Sequence, residues 1–284
     1  MTRSASVIVA KPEPRVIVVR PPKKGVTLNL KELWAYRELI YFMTWRNLKV
    51  RYKQTVLGFA WAILRPLLSM VVFSIFFGDF AKVPTDGIPY PIFSFSGLLA
   101  WELLSMAIVH ASVSLVQSSN MVTKVYFPRI ILPMSFVFSG VADFLIAFVV
   151  LLIMMLFYHI PITLTILTVP LFLLMTIITA LGVGFWLSAL NVLYRDVNYI
   201  LPFINQIWLF ISPITYASSL VPAKWQIIYA VNPMKGIVDG FRWALLGSAK
   251  PGPTFFISLG MALILLVSGM FYFRRMERTF ADMI

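Results

Sequence analysis

The 284 residues are 60% apolar and only 12% charged, whereas soluble domains carry about 25% charged residues, so a soluble surface is excluded. No cysteine occurs, which excludes disulfide frameworks, thiolate metal sites and cysteine nucleophiles. The formal charge of +13 fits either a nucleic-acid surface or cytoplasmic anchoring of a membrane protein, and the positions of the cations decide between them.

In chain order, residues 1–28 read as a loosely ordered cytoplasmic arm. Its short β-prone runs, Val7–Ala10 and Val16–Val19, are broken by Lys11, Pro12, Pro14, Pro21 and Pro22, and neither is long enough for a signal-peptide core. Residues 29–57 read as an amphipathic interfacial region. Asn29 and Glu32 have the spacing of a capping box. Leu33, Trp34, Ile40, Tyr41, Trp45 and Leu48 then recur at helical spacing, with Lys31, Arg37, Arg46 and Lys49 between them. Such a helix lies in the membrane surface or packs on a cytoplasmic partner.

Residues 58–284 form the membrane domain. Six apolar runs, at 58–78, 93–117, 133–157, 165–190, 200–218 and 254–273, approach the length that crosses a hydrocarbon core of about 30 Å. With six spans, 19 of the 24 Lys and Arg residues fall on one side and 5 on the other. That asymmetry places both termini, with the tail 274–284, in the cytoplasm and removes the nucleic-acid reading.

Between spans five and six, residues 219–253 are too polar to cross. Pro222 suits a first helical position, and that short helix stops near Ala230. Asn232-Pro233 caps a second helix, to which Met234, Ile237, Phe241, Trp243 and Leu245 give an apolar side and Gly247 an end. Reading this segment as a seventh span would put Lys224, Lys235, Asp239 and Arg242 in or near lipid, at about 2.5–3.5 kcal/mol each at the centre. It would also push the basic tail outside. The prediction is therefore an all-α membrane protein with six transmembrane helices, an interfacial helix and a two-helix outer hairpin.

Ionisable groups inside spans mark function by default. Glu102 and His110 fall in span two, roughly 22 Å and 10 Å from its cytoplasmic end, and Asp143 falls in span three, roughly 15 Å from that side. This depth allows Asp143 to pair with His110, and the alternative is that Glu102, His110 and Asp143 form a polar lining for substrate. With two histidines and no cysteine, a zinc site would need mostly carboxylates, which structural sites rarely use, so no metal is expected. No phosphate loop of the GxxxxGK[ST] kind is present. Span five carries Asn205, Trp208, Ser212, Thr215 and Tyr216 near one face, and span one carries Trp61, Arg65, Ser69, Phe73 and Phe76. Aromatic platforms alternating with small polar groups suit the flat faces and hydroxyl rims of a sliding sugar polymer, by the logic of stacking channels. Helix packing and aromatic belts account for the same residues, and both readings stay open.

Four stretches carry a family resemblance. They are Arg51-Tyr52-Lys53 through Gly58 to Arg65-Pro66, Lys124-Val125-Tyr126-Phe127-Pro128-Arg129, Asn191 through Tyr194-Arg195-Asp196, and Val221-Pro222 through Trp225 to Asn232-Pro233-Met234 and Gly240-Phe241-Arg242. In that order and with those spans between, residues 29–284 resemble the permease subunits of type-2 ABC exporters of polysaccharides. The resemblance implies a bacterial inner-membrane permease, a homodimer with a second copy of itself and two separate ATP-binding subunits. ATP and Mg would be held by those partners, so this chain would carry no cofactor and would not be an enzyme. The cargo would be a lipid-linked polysaccharide, O-antigen first, then capsular polysaccharide or teichoic acid. Spans one and five would border the channel among membrane lipids. Pro222, Trp225, Tyr229, Asn232, Pro233, Phe241 and Arg242 would belong to a re-entrant outer gate, and Asn120, Lys124, Phe127, Arg129, Arg195 and Asp196 would meet the ATP-binding subunit. Two other readings are a small-molecule or drug exporter, whose sequence would look much the same, and a membrane-embedded transferase. The transferase would need convergent carboxylates or histidines on one face, which the sequence lacks.

Overall fold

A computed structural model describes residues 30–53, 58 and 60–283, and among them no strand occurs. The arm 1–28, Asn29 and the Glu32 side chain lie outside what is described, and the expected capping box with them.

A turn at Tyr36 divides the interfacial region into α1 (Leu30–Ala35) and α2 (Arg37–Lys53). The apolar positions expected to share one stripe separate here. Leu33, Ile40 and Leu48 are half-buried, while Trp34, Tyr41 and Trp45 stand exposed beside Phe42 and Val50. One side of α2 packs on α6 (Ile131–Phe157), where Asn47 donates to the Ser135 hydroxyl at 2.9 Å. The other side presents aromatics of the kind that settle at a membrane interface.

Five helical segments are long and apolar enough to cross a membrane: Ala60–Phe80, Tyr90–Gln117, Ile131–Phe157, Leu164–Leu193 and Thr254–Met276. All five begin and end within about one turn of expected spans. The first comprises α3 (Ala60–Phe73) and a π-helical continuation, Ser74–Phe80. The others are α4 (Tyr90–Gln117), α6, α7 (Val169–Leu193, entered through a 3-10 turn at Leu164–Thr168) and α11 (Thr254–Met276). Between α4 and α6 lies the short α5 (Ser119–Lys124).

The expected span 200–218 differs. Helix α8 runs Val197–Ile211, 15 residues, or roughly 22 Å, and stops where Ser212 turns extended ahead of Pro213. Proline has no N–H to continue the ladder and disfavours helix in the residue before it. Residues 212–217 then run non-helically through the interior, with Ile214, Thr215 and Ala217 buried.

The hairpin follows as a 3-10 turn at Ala223–Trp225, a single turn α9 (Gln226–Tyr229) and α10 (Pro233–Leu246). The sequence placed both ends of α10. The Asn232 side chain accepts from the Met234 N–H at 3.0 Å, and Gly247 closes the helix in the left-handed region at φ 68°. The expected one-sided amphipathic character does not hold, because α10 is buried nearly all round, against α4, α7 and α11.

Helix α4 is the centre of the molecule: 78% of its most apolar stretch is buried, against 6% for α3. Helices α7 and α11 meet backbone to backbone, and a Cβ on Gly182 would sit 2.5 Å from the Leu265 carbonyl carbon. A second, smaller core gathers at the basic end, where Leu115, Val122, Phe127, Phe185, Val192 and Phe273 meet Phe280 of α12 (Phe280–Met283).

Candidate functional site

Three regions hold the residues marked by the sequence. The first is a cavity of about 410 Å³ between α2, α3, α4 and α6. Arg51, Tyr52, Trp61, Arg65, Glu102, His110 and Asp143 line it with Leu99, Leu103, Met106 and Phe144. All three intramembrane ionisable groups therefore reach one space, but the expected Asp143–His110 pair does not form. Asp143 accepts from the Arg51 guanidinium and the Tyr52 hydroxyl, and Arg51 also donates to Ser139 at 3.1 Å. His110 instead stacks on Phe136 with centroids 5.9 Å apart. A guanidinium outcompetes an imidazole for a half-buried carboxylate, since charge-assisted bonds are about twice as strong as neutral ones. Burial, reinforced by the carboxylate, holds the Tyr52 phenol protonated and well above its ordinary range. In the sequence Arg51 and Tyr52 stand out only as part of a stretch that carries the family resemblance, since their partner lies about 90 residues away.

The five aromatic and polar positions of α3 and its continuation do not share one surface. Trp61 and Arg65 face the cavity, and an Arg65 N–H points at the Met106 sulfur. Ser69 is half-buried, and Phe73 packs on the main core and edge-on to Phe77 at 5.7 Å. Phe76 is exposed.

The second region joins α8 to the hairpin. The polar stripe of α8 turns inward. Asn205 donates to Ser105 at 2.6 Å, and the Trp208 indole N–H donates to Asn232 Oδ1 at 2.9 Å while its ring meets Trp101 edge-on at 6.1 Å. Ser212 donates to the Trp208 carbonyl at 2.8 Å and accepts from Asn232 at 3.0 Å. Tyr229 donates to the Tyr216 hydroxyl at 3.0 Å, and their rings stack 6.5 Å apart.

Arg242 is almost fully buried, its guanidinium 3.5 Å from the Phe93 ring centre. It donates to the carbonyls of Ile214 (2.9 Å), Phe93 (3.4 Å) and Tyr216 (3.4 Å). Two of these belong to the stretch that Pro213 released from the helix, so Arg242 supplies the donors that the broken ladder lacks. Lys235 pairs with Asp239 at 3.5 Å and donates to Thr254 at 2.6 Å, and Asp239 accepts from Ser218 at 2.6 Å. Of the remaining gate positions, Pro222 and Trp225 are exposed, with Lys224 5.8 Å over the Trp225 ring, and Pro233 and Phe241 are buried.

The third region is the basic end. Asn120 and Lys124 on α5, and Arg195 and Asp196 between α7 and α8, are exposed. Phe127 is not: it turns into the smaller core and supports the loop from beneath. The backbone N–H of Arg129 donates to a Glu277 carboxylate oxygen at 2.9 Å, and its guanidinium to the Glu277 carbonyl. The exposed side chains of Val125, Tyr126, Tyr194 and Tyr199 add an apolar and aromatic surface beside these charges. Sequence reasoning passed over them because their periodicity carries no outward signal, and it passed over Glu277 as one acid among basic tail residues.

The comparisons agree with this architecture. The family described as ABC-2 type transporter matches residues 38–246, from the start of α2 to the end of α10. The O-antigen export system permease protein RfbA of Myxococcus xanthus is 28% identical over 254 residues, 87% of this chain and 96% of that protein. Two proteins of the same name from Klebsiella pneumoniae are each 25% identical, covering 87% and 91% of this chain and 95% and 100% of their own lengths. Well over half of the chain thus falls within one family match, running from α2 through α3, α4, α6, α7 and α8 to the buried α10, and the protein belongs to the ABC-2 type transporter family.

Proposed function

We propose that the chain is the membrane permease of an ATP-driven exporter moving a lipid-linked polysaccharide, O-antigen first, across a bacterial inner membrane. The observation that carries this reading is the end-to-end match to relatives named as O-antigen export permeases, which leaves almost none of their length uncovered. In this reading α8 and residues 212–217 together make the fifth of six spans, both termini are cytoplasmic, and α9–α10 form a re-entrant hairpin at the outer side. Burial of α10 among α4, α7 and α11 supports that placement. Two copies associate through the exposed apolar side of α3, its π-helical continuation and α8, where Val71, Val72, Ile75, Phe203, Ile207 and Phe210 are exposed among the described residues. The polymer passes between them. The exposed residues of α5 and of the α7–α8 turn dock a separate ATP-binding subunit, which holds ATP and Mg.

The test is reconstitution in a host lacking its own export permease. Purified alone, the chain hydrolyses no ATP. Co-expressed with an ATP-binding subunit and a lipid-linked O-polysaccharide, it gives ATP turnover and polymer at the cell surface. ATP turnover by the chain alone, or turnover of the complex with no surface polymer, overturns this reading.

A further inference from the structure

Helix α6 begins without an acidic residue in its first turn and without a side-chain cap among the described residues. The tail supplies an acid from 148 residues away. The Glu277 carboxylate accepts from the Arg129 N–H, just before the helix, and from Arg274, both at 2.9 Å. A carboxylate at a helix start is favoured by the positive end of the helix dipole. Three residues on, Phe280 is completely buried, edge-on to Phe273 at 5.2 Å, in the smaller core that holds Val122 of α5 and Val192 of α7. Met283 then borders a recess of about 110 Å³ with Ser119 of α5 and Arg195.

Residues 277–283 thus reach from the base of one exposed loop to the edge of the other. Both loops and the tail share a smaller core whose fully buried residues are distinct from those of the main one, the half-buried Leu181 touching both. A packed side-chain unit of this kind shifts as a body, because its contacts are lost outright when a gap opens.

We propose that the tail ties the two partner-facing loops into one rigid platform, with Glu277 and Phe280 as positioning residues that deliver the partner's stroke to the start of α6. The proposal rests on the reading that these loops dock an ATP-binding subunit. It assigns the tail a role in transmission: the partner touches the loops, and the tail keeps them from yielding independently.

The experiment uses the whole complex. Glu277→Gln, Glu277→Asp, Phe280→Ala and Phe280→Leu are compared for yield of co-purified ATP-binding subunit, ATP turnover per complex and surface O-polysaccharide per complex. Glu277→Gln and Phe280→Ala keep the partner and go on hydrolysing ATP, while polymer exported per ATP falls about tenfold. Glu277→Asp and Phe280→Leu restore most of it. If the residues only stabilise the fold, yield falls and export per ATP is unchanged, and the proposal is overturned. A second measurement places a cysteine pair, Ser119→Cys with Met283→Cys, in a chain that has none of its own. Bridging by a short bismaleimide in both nucleotide-free and ATP-trapped complexes, with export retained, supports the tie. Bridging that stops export shows that the tail leaves the loop during the cycle and overturns it. A wild-type chain that captures no ATP-binding subunit overturns the exporter reading itself, and the tie with it, before any variant is compared.

Discussion

Arg242 and Asp143 show how far a single residue can be read before its neighbours are known. In the sequence, Arg242 is a cation on a short polar hairpin. In the fold it is the donor for carbonyls freed by a proline 29 residues earlier. Replacing it with methionine keeps much of the volume and leaves the Ile214 carbonyl buried without its donor, at about 1–3 kcal/mol for each such group. Arg242→Met is therefore expected to lower the melting temperature of the purified chain, and Arg242→Lys to recover only part of it, since a single ammonium nitrogen lacks the planar spread by which two guanidinium nitrogens reach these carbonyls. A Met variant that melts at the wild-type temperature contradicts this account. Trp208 illustrates the converse. Its face on α8 was legible, but its indole N–H is committed to Asn232 and its ring to Trp101, contacts that periodicity does not encode.

At the scale of elements, hydrophobic run length located the long helices because each must satisfy its own backbone across lipid. The fifth expected span came out short because the run length counts Ser212–Ala217 as apolar while Pro213 breaks the helix within it. Tertiary pairing was the other illegible part. Helix α2 is fastened to α6 by Asn47–Ser135 at one turn and by Arg51 and Tyr52 on Asp143 at the next. Asp143→Asn removes the charge that holds Arg51. The pair is partly exposed, so solvent discounts the cost of a buried ion pair to about 1–3 kcal/mol. The expected result is faster amide exchange across 37–53 with little change in α7 and α11. The double change Arg51→Met, Asp143→Leu is expected to return most of the protection. Wild-type exchange across 37–53 in Asp143→Asn would show that α2 is held elsewhere.

Seen whole, the molecule is well covered at α4 and nearly bare along α3 and the outer side of α8. In a membrane, lipid can cover that face, so bareness alone does not require a second copy; the proposed dimer does. With no native cysteine, Ile207→Cys is expected to give a disulfide-linked dimer in oxidised membranes, whereas a cysteine at the exposed Leu171 of α7, away from the proposed interface, stays monomeric. The reverse pattern would move the interface to another face. The burial of α10, finally, has a consequence for when things happen during synthesis. Lys235, Asp239 and Arg242 would each cost about 2.5–3.5 kcal/mol alone in the bilayer centre, so α10 cannot enter lipid by itself. The groups that receive these charges lie on both sides of it in the chain: Phe93, Ile214 and Ser218 are made earlier, and Thr254 emerges later. On the proposed topology, helix α10 therefore waits at the outer surface while α11 is threaded, and it seats last, into a socket whose walls are already standing.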